Sequence, residues 1–182
     1  WMGTGARGVA PLAQIAGFLF IQAQSVLSAR GLLEAAHYDQ FDGNFDIFNY
    51  SWGDPQCMLL EYPTALQDKM KLGATNLRGG KGAVYVKAAG NDYRAYLSDC
   101  TAQAGYDDEV FGNANFSEDA TSPYTINVGA LSAKGISASY SSPGSNIWVS
   151  APGGEFGLSN STTSIYRQPA ILTTDFVGCS YG

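Results

Sequence analysis

Asn91 follows three small residues, Ala88-Ala89-Gly90, at the end of the stiff run Gly82-Ala-Val-Tyr-Val-Lys87. An asparagine amide beside bare backbone can point an N–H at a carbonyl of an extended peptide lying along that edge. A donor aimed where negative charge grows during acyl transfer lowers the barrier by about 3 to 4 kcal/mol. Ser51-Trp52-Gly53 closes a second apolar run, and its small residues leave backbone groups open to ladder hydrogen bonds with the same peptide. The plainer reading makes Gly90-Asn91 a turn after a strand, since both residues are favoured there. Taken alone, the local pattern favours the turn.

Chemistry at these two points needs elements that bring them together. Leu12 to Phe20 is a nearly continuous apolar run and suits a strand covered on both faces. Ser25 caps a predicted helix to about His37. Phe45 to Ser51 is the next strand, bounded by Asp42-Gly43 and by Gly53-Asp-Pro55. Thr64-Ala-Leu-Gln67 has capping-box spacing, with Leu66, Met70, Ala74 and Leu77 at helical intervals and Gly79-Gly80 as the stop. Further strands are expected at Ala83–Val86, Tyr124–Ala130, Ile136–Tyr140 and Ile147–Ser150. Strands alternating with helices imply an α/β fold: a three-layer sandwich with a mostly parallel central sheet. In such sheets ligands gather at the carboxyl ends of strands, where Gly53 and Asn91 fall. Glu155 to Gln168 reads as a polar excursion.

The 182 residues, 45% of them hydrophobic, are enough for one domain with a buried core. A net charge of −6 argues against nucleic acid or an anionic membrane as partner. The longest apolar run falls far short of the roughly 20 residues of a membrane span. Neither Trp1 nor Gly182 reads as a natural terminus, so a fragment is expected. Many Gly, Ser, Thr, Asn and Tyr with 14% charged residues suit a secreted or periplasmic protein. The three cysteines, Cys57, Cys100 and Cys179, lack metal-ligand spacing; they read either as disulfide partners, one of them pairing outside the fragment, or as buried thiols.

Seven segments in order carry a resemblance to a known family: Gly8-Val-Ala-Pro11, Asn49-Tyr-Ser-Trp-Gly53, Gly82 to Asn91, Ser122 to Ala130, Ser139 to Gly144, Val149-Ser-Ala-Pro-Gly-Gly154 and Thr173-Thr-Asp175. In these the chain resembles the subtilisin-like serine peptidases along most of its length. Trp52 and Thr173-Thr-Asp175 favour the kexin-like branch. The resemblance implies that Asn91 is the oxyanion-hole asparagine. It implies that Ala88, Ala89 and Gly90 form one wall of the pocket for the residue preceding the cut, and that Ser51, Trp52 and Gly53 are the substrate-pairing strand and the opposite wall. Gly144 and Ala151-Pro-Gly153 are implied to shape the approach to the nucleophile helix.

Other family features are missing from the 182 residues. No Gly-Thr-Ser nucleophile segment and no His-Gly-Thr occurs, and the single histidine, His37, sits in a predicted helix where the family's base does not. The reading is therefore residues 1–182 as the central part of one peptidase domain, an incomplete subtilisin-like fold without the catalytic Asp, His and Ser and inactive alone. Calcium is a cofactor implied by the resemblance, but the position of a ligating glutamate falls near Ser141-Ser142, which carries no carboxylate. Asp54, Asp92 and Asp99 flank the two walls, at offsets that do not match the kexin-like branch. Asp107-Asp-Glu109 and Glu118-Asp119 read as solvated acidic loops. Cys57 and Cys100 follow the two strand ends, so a disulfide at the pocket rim is expected. The glycosylation triplets at Asn49, Asn115 and Asn160 carry no weight, because that motif is common by chance.

Expected partners are a polypeptide substrate and a propeptide or the rest of the domain. The alternative is a peptide-binding relative that has lost its catalytic groups. A nucleotide-binding domain is disfavoured: Gly3-Thr-Gly-Ala-Arg-Gly-Val9 mimics part of a phosphate loop but precedes a strand, not a helix.

Overall fold

A computed structural model of the chain describes residues 10–16, 45–53, 57–59, 61, 64–93, 112–157 and 168–171. Among the described residues four strands form one sheet, β1 (Ile47–Tyr50), β2 (Val84–Ala88), β3 (Thr125–Leu131) and β4 (Val149–Pro152), side by side in chain order. Every neighbouring pair is parallel. Parallel neighbours need a crossover between them. Between β1 and β2 it is helix α1 (Thr64–Gly80); the connection to β3 includes a short 3₁₀ turn, Ala114–Phe116, and the single-turn helix α2 (Glu118–Thr121). The expected α/β fold on a parallel sheet is the observed one. The predicted helix from Ser25 to His37 lies outside the described residues.

The core sits between α1 and the first two strands. Met70 and Ala74 of α1, with Leu77, face Phe48, Tyr50 and Tyr85 of the sheet. Phe48 and Tyr85 stack nearly parallel, 4.8 Å between centroids. Met70, Ala74 and Leu77 of the expected helical face thus turn to the core. The helix breaks earlier than Gly79-Gly80, however. Leu77 takes an extended ψ of 167°, and Arg78 (φ 56°) and Gly79 (φ 66°) are left-handed. Arg78 stays in that conformation because its Nε donates to Asp46 Oδ1 at 2.7 Å and its Nη1 to Gly82 O at 3.2 Å.

Three strand expectations are corrected. Residues 10–16 form no strand: Ala13 N donates to Ala10 O at 3.0 Å in a turn, and Leu12 and Ile15 are 95% and 94% exposed. Pro11 occupies the second position of that turn, which its fixed φ favours; residues 17–20 are outside the described set. Ile136 to Tyr140 is a hairpin-like loop instead of a strand. Gly135 (φ 73°) turns the chain, Ser132 N bonds Ile136 O at 2.8 Å, and a single bridge joins Leu131 to Ser137. The last strand begins two residues late, at Val149, and runs through Ala151 and Pro152, so the turn starts only at Gly153. No helix among the described residues is long and apolar enough to cross a membrane.

The interior of β2 and β3 also differs from an apolar expectation. Val84 and Val86 are only half-buried, whereas Tyr85 and Lys87 alternate inward. On β3 the inward positions are Thr125, Asn127 and Gly129. A polar layer therefore lies against this face of the sheet.

Candidate active site

β1 and β2 are direct neighbours whose last register pair is Tyr50 with Lys87. Ser51-Trp52-Gly53 and Ala88-Ala89-Gly90 are therefore carried out of the sheet side by side, as the sequence expects. Ser51, Gly53 and Ala88 are exposed, Trp52 and Gly90 half-buried, and Ala89 buried. Ala89 N still donates to Val128 O at 2.9 Å, so β2 leaves the sheet only at Gly90. Gly90 then takes φ 107°, a conformation that residues with a Cβ rarely adopt. That turn delivers Asn91 to the surface, where its side chain is exposed and no described residue hydrogen-bonds its amide.

The backbone around Asn91 is tied down on both sides. Ser142 N donates to Gly90 O at 3.1 Å, and Asp92 N donates to Ser142 Oγ at 3.0 Å. Tyr93 N reaches Tyr140 O at 3.3 Å, and Gly112 N reaches Asp92 O at 2.9 Å. Gly112 has no room for a side chain, since a Cβ there would stand 2.7 Å from Asp92 O. The backbone at Asn91 is thus held on both sides, while its exposed amide has no hydrogen-bond partner among the described residues.

Beneath this edge lies a charge pair that sequence reasoning misses. Lys87 Nζ stands 3.0 Å from Asp119 Oδ2, and both side chains are 1% exposed. The same ammonium donates to Trp52 O at 2.6 Å and sits 4.9 Å from the Trp52 ring centroid. Asp119 Oδ1 accepts from the Ser117 hydroxyl. Asp119 is therefore a buried anion and not part of a solvated loop, which corrects the expectation for Glu118-Asp119. The available signal is a lysine at an inward position of an apolar strand, because a buried ammonium requires a partner. Nearby, burial raises the Tyr50 phenol pKa, with the phenol of Tyr85 and the carboxylate of Asp119 adding to the effect. Burial pushes the Tyr85 phenol up to about 12.

Ser141 and Ser142 lie where a ligating carboxylate is implied, and their hydroxyls are engaged as acceptors from Ala130 N and Asp92 N, each at 3.0 Å. No three His, Cys, Asp or Glu side chains converge among the described residues. Cys57 is disulfide-bonded. Cys100 and Cys179 lie outside the described residues, as do His37, Asp54, Asp99, Asn160 and Thr173-Thr-Asp175. Of the other glycosylation triplets, Asn49 donates to Ser51 Oγ at 3.0 Å, and in Asn115-Phe-Ser117 the serine is buried against Asp119.

The family model described as the subtilase family matches residues 2–181. The chain is 31% identical to the Aeromonas extracellular serine protease of Aeromonas sobria over 98% of its own length and 28% of that protein. It is 37% identical to a microbial serine proteinase of Aeromonas salmonicida over 55% of its length and 15% of that protein. Two crystal structures of the Aeromonas sobria serine protease are similar in fold. The structure in complex with a chaperone has a TM-score of 0.72 at 27% identity; the protease described by itself has 0.70 at 29%. Each comparison covers 94% of this chain and 28% of the solved one. The chain thus spans little more than a quarter of the Aeromonas sobria protease and less of the Aeromonas salmonicida one.

Proposed function

Since the chain belongs to the subtilase family, we propose that it supplies the substrate-pairing edge and one oxyanion donor of a serine endopeptidase. The observation that carries this reading is an exposed asparagine amide on a tied-down backbone at the exit of β2, beside the open exit of β1. A peptide laid along Ser51–Gly53 presents its scissile carbonyl near Asn91, whose N–H receives the negative charge of the tetrahedral intermediate. Ala88, Ala89 and Gly90 leave room for the side chain preceding the cut. The nucleophilic serine and its histidine base belong to other parts of the peptidase domain and carry out acylation and deacylation there. Residues 1–182 are the central part of that domain and do not turn over alone.

Finer readings belong to the same proposal. Ser51-Trp52-Gly53 and Thr173-Thr-Asp175 support the kexin-like branch, which cleavage of matched peptides with Arg or Leu before the scissile bond would test. The description of the Aeromonas sobria relative as extracellular supports secretion, and the solved complex of the Aeromonas sobria protease supports a chaperone as partner.

The reading frame that contains this chain is expected to encode both His-Gly-Thr and Gly-Thr-Ser and to yield a protein that hydrolyses peptides and reacts with a fluorophosphonate. A frame without those motifs makes the chain a peptide-binding relative instead. In the active enzyme Asn91→Ala lowers kcat by about 100- to 1000-fold with little change in KM. An unchanged kcat removes the assignment of Asn91.

A further inference from the structure

The geometry points to Lys87 as a positioning residue for the substrate-pairing strand, an inference that rests on the peptidase reading above. Its side chain leaves β2 one residue before the small wall and crosses to the exit of β1. There its Nζ holds the carbonyl of Trp52, the middle residue of Ser51-Trp52-Gly53, at 2.6 Å. The ammonium also lies 4.9 Å from the Trp52 ring centroid and 3.4 Å from where a Cβ on Gly53 would stand. One charged group thus touches the Trp52 carbonyl and ring and lies beside Gly53.

The orientation has a direct consequence for substrate pairing. Successive carbonyls of an extended strand point to opposite edges. Where a peptide pairs with Ser51-Trp52-Gly53 as with a strand, a Trp52 carbonyl held by Lys87 leaves the Ser51 and Gly53 carbonyls to the peptide. A charge-assisted bond sets that peptide plane more firmly than a neutral donor does. Asp119, whose Oδ1 accepts from Ser117, forms an ion pair with the same ammonium at 3.0 Å. Stability alone is a poor account of this arrangement, because a buried ion pair can often be replaced by apolar side chains at no loss. A link between β2, α2 and the exit of β1 is what an apolar replacement would not provide.

The test uses the full enzyme, with active molecules counted by fluorophosphonate labelling. Ser117→Ala removes only a hydrogen bond to Asp119 and keeps both the ion pair and the Lys87 bond to Trp52, whereas the double variant Lys87→Met with Asp119→Asn removes that bond without leaving an unpaired buried charge. The readout is the ratio of kcat/KM for an extended peptide, which needs the strand, to that for a single-residue ester, which does not. The double variant is expected to lower this ratio about tenfold, mainly through KM, while Ser117→Ala lowers it less than about threefold. A double variant with the wild-type ratio overturns the role of Lys87. A wild-type enzyme that no fluorophosphonate labels overturns the peptidase reading itself.

Discussion

Gly112→Ala should damage the reaction without touching any residue that meets substrate. A methyl group at this position would stand 2.7 Å from Asp92 O and 2.8 Å from Asp92 C, and would also meet Asp92 Cβ, where ordinary contact begins at 3.4 Å. The obstructing atoms are the Asp92 backbone and its Cβ, so no rotamer change relieves them, and Asp92, next to Asn91, has to withdraw by at least about 0.7 Å. Its ties to Ser142, Tyr140 and Gly112 resist that movement. Misplacing a reacting group by about 1 Å can cost about 100-fold in rate. The upper bound is loss of the donor altogether, about 100- to 1000-fold. We therefore expect kcat to fall about 10- to 100-fold with KM little changed, measured on a chromogenic peptide with active sites titrated. The same substitution in an Asn91→Ala background should add less than about threefold, because the amide it displaces is already gone. A kcat within twofold of wild type, or an equal loss in both backgrounds, would show that the backbone beside Gly112 does not position Asn91.

Two further outcomes concern the core. Gly73→Ala places a methyl 2.9 Å from Tyr85 Cζ and closer still to its hydroxyl, and Tyr85 is held by its stack on Phe48. Overpacking of about 1–3 kcal/mol outweighs the helix preference for alanine, about 1 kcal/mol, so calorimetry should show a lower Tm. Adding Tyr85→Phe should restore part of it, and no recovery would place the strain elsewhere. The second outcome is alkaline sensitivity. Tyr50 and Tyr85 are held protonated when folded, whereas the unfolded chain releases phenol protons near 10.0. Both contributions are fully present below pH 10 and decline above it, that of Tyr85 being lost as pH rises through about 12 and that of Tyr50, whose phenol is raised further, continuing to fall beyond. Urea midpoints between pH 9 and 12 should fall, and Tyr85→Phe should flatten the fall; an identical pH profile for that variant would contradict the burial of this phenol.

Much of the architecture and of the candidate edge is legible in the residue order. Alternating strands and helices specify a parallel α/β sheet, because parallel neighbours require crossovers. Ala88-Ala89-Gly90-Asn91 and Ser51-Trp52-Gly53 announce two bare strand exits, since small residues and glycine are informative whatever surrounds them. Other features depend on neighbours distant in the chain. A period-two pattern tells which side chains share a face, not which face is covered or by what. Lys87 therefore reads as a polar residue near a strand end until Trp52, 35 residues away, and Asp119 close over it. Ser142 pins the Asn91 turn from 50 residues away. Leu12 and Ile136 err in the opposite sense: their apolar character suggests strands, but local turns at Pro11 and Gly135 satisfy the backbone first. Local preference and spacing are properties of the chain order, whereas the partner of a buried charge and the tie on an exposed turn arise only when remote segments meet.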